Sequence, residues 1–139
     1  MNCLACRSLQ YRYFSETDTL SIFFVKAAPG LIDSTDDALP GLLVDYTDKE
    51  ELVSVDIRMA SRHTRAHFWD TAADVQDAPP LCLQTKYVAE EDSLTVSLVD
   101  NPQHCKAVPT DDDRIVVWVD GAGKWESIAI SKALTSIVH

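Results

Sequence analysis

Apolar and polar residues alternate over several short stretches of this chain. Leu20, Ile22 and Phe24 are separated by Ser21 and Phe23, and Leu94, Val96 and Leu98 by Thr95 and Ser97. A period of two turns one side of such a stretch into a core and the other outward, which predicts half-buried strands. Residues 42–46 and 52–58 are two further predicted strands, joined by Thr47-Asp48-Lys49-Glu50-Glu51. Residues 115–119 and 125–130 repeat that pattern across Asp120-Gly121-Ala122-Gly123-Lys124. Polar or Gly-rich links of this length suit hairpins. Short strands at 9–14 and 83–88 come first, turning through Ser15-Glu16-Thr17-Asp18 and Ala89-Glu90-Glu91-Asp92. Asp18 and Asp92 are turn residues in this reading, their carboxylates accepting backbone N–H bonds.

The stretch MASRHTRAHFWDTAADV after the fourth strand has Ala-rich helical composition,. Pro79-Pro80 ends it, because a proline pair cannot continue a helix,. Phe68 and Trp69 are expected to anchor this helix on the sheet. A short terminal helix is predicted in SKALTSIV.

The pattern also repeats. Leu9 to Val25 aligns with Leu83 to Val99, with Leu, Gln, Tyr, Glu, Asp, Leu and Val shared. Leu42 to Ala60 aligns with Ile115 to Ala133, where Val44 meets Val117, Val55 meets Ile128 and Ile57 meets Ile130. The chain is therefore divided into a first β repeat at 9–62, a helical connector at 63–81 and a second β repeat at 82–139. One copy is too small to bury a sufficient core. The expected fold is mainly β (α+β): two antiparallel units packed as one compact pseudo-two-fold sandwich or barrel, with Leu20, Ile22 and Phe24 facing their counterparts.

Each copy resembles the domain-of-unknown-function family numbered 2283. The first copy does so through Tyr13-Phe14-Ser15-Glu16-Thr17-Asp18-Thr19-Leu20, Leu43-Val44-Asp45-Tyr46 and Ile57-Arg58-Met59-Ala60-Ser61. The second does so through Tyr87, Asp92-Ser93-Leu94 and Ile130-Ser131-Lys132-Ala133, with Val117-Trp118-Val119 in place of the Val-Asp-Tyr piece. The resemblance implies a fold and no established activity, so it assigns no catalytic residue.

With 12 Lys and Arg against 22 Asp and Glu, the net charge is −10. Nucleic acid and anionic membrane are disfavoured as partners, because both need a basic footprint. A small molecule or a protein is the expected partner, and the chain could pair as a homodimer. The start lacks a secretory signal and a cytoplasmic location is expected, with Cys3, Cys6, Cys82 and Cys105 as free thiols,. The Cys3/Cys6 spacing suits zinc or a redox pair, but no second such motif accompanies it,. No cofactor is expected: G-x-S-x-G, P-loop and dinucleotide motifs are absent,.

Candidate chemistry lies where the copies differ. Asp45, Ser54, Asp56 and Arg58 stand on one face of the first copy, where the second has Trp118, Ser127, Ala129 and Ser131. If Asp45 opposes Ser54, it lies diagonal to Asp56, roughly 7–8 Å away along the backbone. Two carboxylates that close can divide acid and base roles. Asp45 and Asp56 are therefore the catalytic candidates, and Trp118, Trp125, Arg58 and Ser54 the ligand-binding candidates, around a pocket between the repeats. No metal site is expected. Its weak candidates are His63, His67 and Asp70, which a helix would put on one face beside Arg62 and Arg65. The acidic clusters Asp33/Asp36/Asp37 and Asp111/Asp112/Asp113 are expected in solvated loops. The primary reading is an acidic ligand- or protein-binding module. The alternative is a cofactor-independent isomerase, cyclase or hydrolase using carboxylate acid–base chemistry.

Overall fold

A computed structural model describes residues 10–26, 28–64, 84–99 and 102–137. The first unit runs β1 (Gln10–Phe14), β2 (Thr19–Phe23), β3 (Ser34–Leu39), β4 (Leu42–Tyr46), β5 (Leu52–Arg58) and α1 (Ala60–His63). The second runs β6 (Gln84–Val88), β7 (Ser93–Ser97), β8 (Lys106–Pro109), β9 (Ile115–Val119), β10 (Trp125–Ser131) and α2 (Ala133–Ser136). Each makes one antiparallel five-stranded sheet, in the order β1-β2-β5-β4-β3 and β6-β7-β10-β9-β8. Among the described residues neither sheet closes into a barrel, and the two sheets form a sandwich.

Alternation explains the sandwich. Leu20 and Ile22 on β2, Leu42 and Val44 on β4, and Val55 and Ile57 on β5 are all buried. They form one apolar cluster with Leu94, Val96, Ile115, Val117, Ile128 and Ile130 of the second sheet. One face of each sheet is thus removed from water by the other.

The two sheets share local devices. The Tyr13 hydroxyl donates to Asp18 Oδ1 at 2.7 Å, and that of Tyr87 to Asp92 Oδ1 at 2.8 Å. Both aspartates take left-handed backbone, at φ 52° and 48°, which a turn aspartate tolerates better than most residues,. Their carbonyls accept from Ala60 N–H and Ala133 N–H at the start of each short helix. Their carboxylates reach the same turns, Asp18 accepting from Ser61 N–H and Oγ and Asp92 from Leu134 N–H. Each unit also bulges near the start of its central strand, at Val53 and at Glu126. The carbonyls of those residues accept from Phe24 N–H and Leu98 N–H.

Two features correct the expected layout. Each sheet has five strands and not four. Asp36 and Asp37, expected in a solvated loop, lie exposed on edge strand β3. Lys106–Pro109 is the matching edge strand β8. Charge on an edge discourages further strand pairing, so polar sequence there is compatible with a strand. Secondly, the helix expected from Met59 stops after one turn, because Thr64 is extended at φ −129° and ψ 155°. The rest of the connector, with Phe68, Trp69, His67 and Asp70, lies outside the described residues, as do Cys3, Cys6 and Cys82. Cys105 is exposed as a free thiol.

The seam between the sheets is polar at one end and aromatic at the other. Tyr46 donates to Asp112 Oδ2 at 2.8 Å, and Arg114 clasps the same carboxylate through Nε at 3.0 Å and Nη2 at 2.8 Å. Arg114 Nη1 reaches back to the Glu50 carbonyl at 3.0 Å. Burial pushes the Asp112 carboxyl up, yet the Arg114 and Tyr46 donors outweigh it and hold the group below the usual range. At the other end the His63 ring stacks on Trp125 at 4.2 Å, and Lys124 Nζ donates to the Arg62 carbonyl at 2.6 Å.

Because Ile22 sits fully buried in the shared cluster, Ile22→Ala is expected to cost about 2–5 kcal/mol of stability in urea denaturation,. The exposed Ile32→Ala should stay within about 0.5 kcal/mol of the parent,. Equal costs at the two positions would contradict this packing.

Candidate functional site

With the inner faces consumed by the core, chemistry is left to the outer faces. On the first sheet, Asp45, Ser54, Asp56 and Arg58 do share one outer face. Asp45 pairs with Ser54 across β4 and β5, and Leu43 pairs with Asp56, so the two aspartates are diagonal neighbours. The bulge at Val53 lets Tyr46, not Thr47, oppose Leu52, without disturbing the register of the acidic pair.

Asp45 is almost enclosed, and three elements hold it. Thr35 Oγ1 on β3 donates to its Oδ1 at 2.5 Å, and Ser54 Oγ on β5 donates to its Oδ2 at 2.6 Å. Asp56 is half-buried beside it and accepts from Ser21 Oγ on β2 at 2.5 Å. Burial pushes the Asp56 carboxyl upward. The Ser21 hydroxyl opposes that shift, while the charge of Asp45 and a hydrogen bond with it add to it, and the net direction is up.

A cleft of about 740 Å³ opens over this face, lined by Phe14, Thr17, Thr19, Ser21, Pro40, Gly41, Leu43, Asp56, Arg58, Met59 and His63. Its wall is mainly apolar, and Asp56 and Arg58 are two residues apart on the same side of β5. Gly41 permits the rim. It has φ 92°, and a Cβ there would come within 2.3 Å of His63 Nε2. The His63 ring is held below its usual pKa by burial first and then by the charge of Lys124, against a smaller pull from Asp18. It is a neutral, packed imidazole at the mouth of the cleft.

The two indoles do not join this group. Trp118 flanks core-facing Val117 and so stands on the outer side of the second sheet, where its ring lies 5.2 Å from His104. Trp125 belongs to the core and stacks on His63. Among the described residues the two clefts that reach these faces do not gather Asp45, Asp56, Trp118 and Trp125. Opposed inner faces leave the outer faces pointing apart. Ser21 and Thr35, which position the acidic pair, were not singled out in the sequence. Ser21 was visible in the alternation of β2, whereas Thr35 lies on the unexpected edge strand.

The acidic clusters meet elsewhere. Asp36, Asp37 and Asp111 to Asp113 line a second cleft of about 500 Å³ at the seam, together with Arg114 and Lys132. Among the described residues no group of three His, Cys, Asp or Glu side chains is placed to hold a metal ion. Among them, too, no helix is long and apolar enough to cross a membrane.

In a carbon-detected NMR titration, the Asp56 carboxyl should titrate above an ordinary aspartate, and Asp45→Asn should lower it. Its raised value also means that ionising Asp56 costs stability. Raising the pH through the folded value should therefore weaken the parent relative to Asp56→Asn. An Asp56 titration unmoved by Asp45→Asn would show that the two carboxyls are uncoupled.

Comparison with known proteins bears on the first sheet alone. The family model described as "Protein of unknown function (DUF2283)" matches residues 10–61. That span starts at β1 and ends within α1, so it includes the whole first sheet with Asp45 and Asp56. The second unit shares the strand order and the Tyr–Asp turn but lies beyond the matched span. No curated protein and no solved structure matches the chain. Over residues 10–61 the chain is thus similar to the DUF2283 family.

Proposed function

We propose that the protein is a small-molecule-binding module, with its ligand in the cleft over the outer face of the first sheet. One observation carries this reading: Phe14, Leu43 and Met59 surround a polar floor of Ser21, Asp56 and Arg58 in about 740 Å³. Small-molecule sites are commonly concave and mainly apolar, with a few placed polar groups, at roughly 300–1,000 Å³. The floor is preorganised as well, because Ser21 fixes Asp56 while Thr35 and Ser54 fix Asp45. Groups already held in place lose little freedom when a ligand arrives. A protein partner is less favoured by an inward-curving site than by a flat one. Nucleic acid and anionic membrane are left out of the proposal because the chain carries a net charge of −10,. A cytoplasmic, reducing setting suits the exposed thiol of Cys105,.

A second reading, cofactor-independent acid–base catalysis, is favoured by the Asp45–Asp56 pair. A carboxylic acid whose pKa is raised by burial and a neighbouring carboxyl is a common way to build a general acid. In this reading the reaction site is the outer cleft and not a pocket between the repeats. The catalytic reading adds turnover to the same binding site.

Heteronuclear NMR with a fragment library tests the proposal. Bound fragments should shift Ser21, Leu43, Asp56 and Arg58 in a saturable way and leave the outer face of the second sheet unchanged. Fragments that bind only elsewhere would remove the cleft as the site. Conversion of a bound compound, lost by about 10²-fold or more in Asp56→Asn while binding persists, would favour the catalytic reading.

A further inference from the structure

The ligand's chemical class can be read from the charges around the cleft, and this step rests on the cleft being the binding site. Arg58 is its cation. Among the described residues its guanidinium makes no hydrogen bond or ion pair, whereas Arg114, on the seam, is fully engaged with Asp112 and Glu50. The neighbouring carboxylates are already occupied. Asp45 accepts from Thr35 and Ser54, Asp56 from Ser21, and Asp18 from Tyr13 and Ser61. Asp56 is the one acidic side chain that lines the cleft with Arg58. Burial first, and then the charge of Asp45, push its carboxyl up, against the Ser21 hydroxyl and the charge of Arg58. Among the described residues Arg58 is the cation lining the cleft whose donors are open to a ligand, within a chain that is acidic overall.

We infer that the cleft takes a small organic carboxylate with an apolar body, the carboxylate on Arg58 and the body against Phe14, Leu43 and Met59. A guanidinium presents paired N–H donors that match the two oxygens of a carboxylate. An ammonium ligand would meet the charge of Arg58 and find the oxygens of Asp56 engaged by Ser21 and Asp45. A neutral amide would keep the apolar contacts and lose the charge-assisted pair. The second sheet supplies an internal control, since Ser131, Ala129 and Trp118 stand where the first has Arg58, Asp56 and Asp45. At those three positions the second sheet has neither a cation nor an acidic pair.

The test uses the full chain and three probes of one shape: phenylacetate, phenylacetamide and phenethylammonium. Phenylacetate should shift Ser21, Leu43 and Arg58 saturably. Its affinity should exceed that of phenylacetamide by about tenfold or more, the usual scale of one charge-assisted contact. Arg58→Gln should remove that advantage. Arg58 is exposed, so the variant is expected to fold, and an unchanged amide spectrum away from β5 would establish that it has. If phenylacetamide or phenethylammonium binds the cleft as tightly as phenylacetate, or Arg58→Gln leaves phenylacetate unaffected, the carboxylate assignment is wrong and the cleft remains the site. If none of the three probes moves a cleft residue, the assignment and the small-molecule reading both fail.

Discussion

Each five-stranded sheet carries an apolar face that the other sheet covers. That mutual burial is the constraint on which the remaining structure depends. It fixes which side of every strand is inside, so Val44 and Val117 point at one another's sheets while Asp45 and Trp118 point away. It also explains why local geometry is kept so closely in both units. The Tyr13–Asp18 and Tyr87–Asp92 turns aim β2 and β7 into the core, and the same aspartates tie down the short helices that follow β5 and β10. Losing either turn would misplace strands needed by both sheets.

Function is then confined to surfaces the core does not use. The outer face of the first sheet holds a connected polar group, Thr35–Asp45–Asp56–Ser21, spread over β3, β4, β5 and β2. Buried polar groups of this kind are costly unless each partner is satisfied. Here hydroxyls satisfy Asp45, and Asp56 relieves the remaining repulsion by favouring its protonated form. The arrangement leaves Arg58 as the available charge beside an apolar wall. The second sheet keeps Ser127 where the first has Ser54 but has no acidic pair, so the two outer faces are chemically unlike although their backbones correspond.

Much of this was legible in the sequence. Strands 42–46, 52–58 and 115–119 were readable because their apolar residues alternate cleanly. The diagonal placement of Asp45 and Asp56 followed from the hairpin register. The edge strands β3 and β8 were hidden, because STDDAL and KAVP have little apolar rhythm and are strands through their pairing with β4 and β9. The early end of α1 was also hidden, since composition does not reveal that Thr64 turns extended. The misplaced indoles have a geometric cause. A pocket shared by Asp45 and Trp118 would require the outer faces to meet, while the same alternation that predicts the strands requires the inner ones to meet. Trp125, at the start of β10, was drawn into the core beside His63 by the bulge and the seam.

Native-state hydrogen exchange tests the shared core most directly. If the two sheets form one cooperative unit, central amides such as those of Ile22 and Val55 in the first sheet and Val96 and Ile128 in the second should open with the same free energy, equal to that of global unfolding. Protection lower in one whole sheet than in the other would contradict the account, because it would show that one sheet opens while its neighbour stays folded.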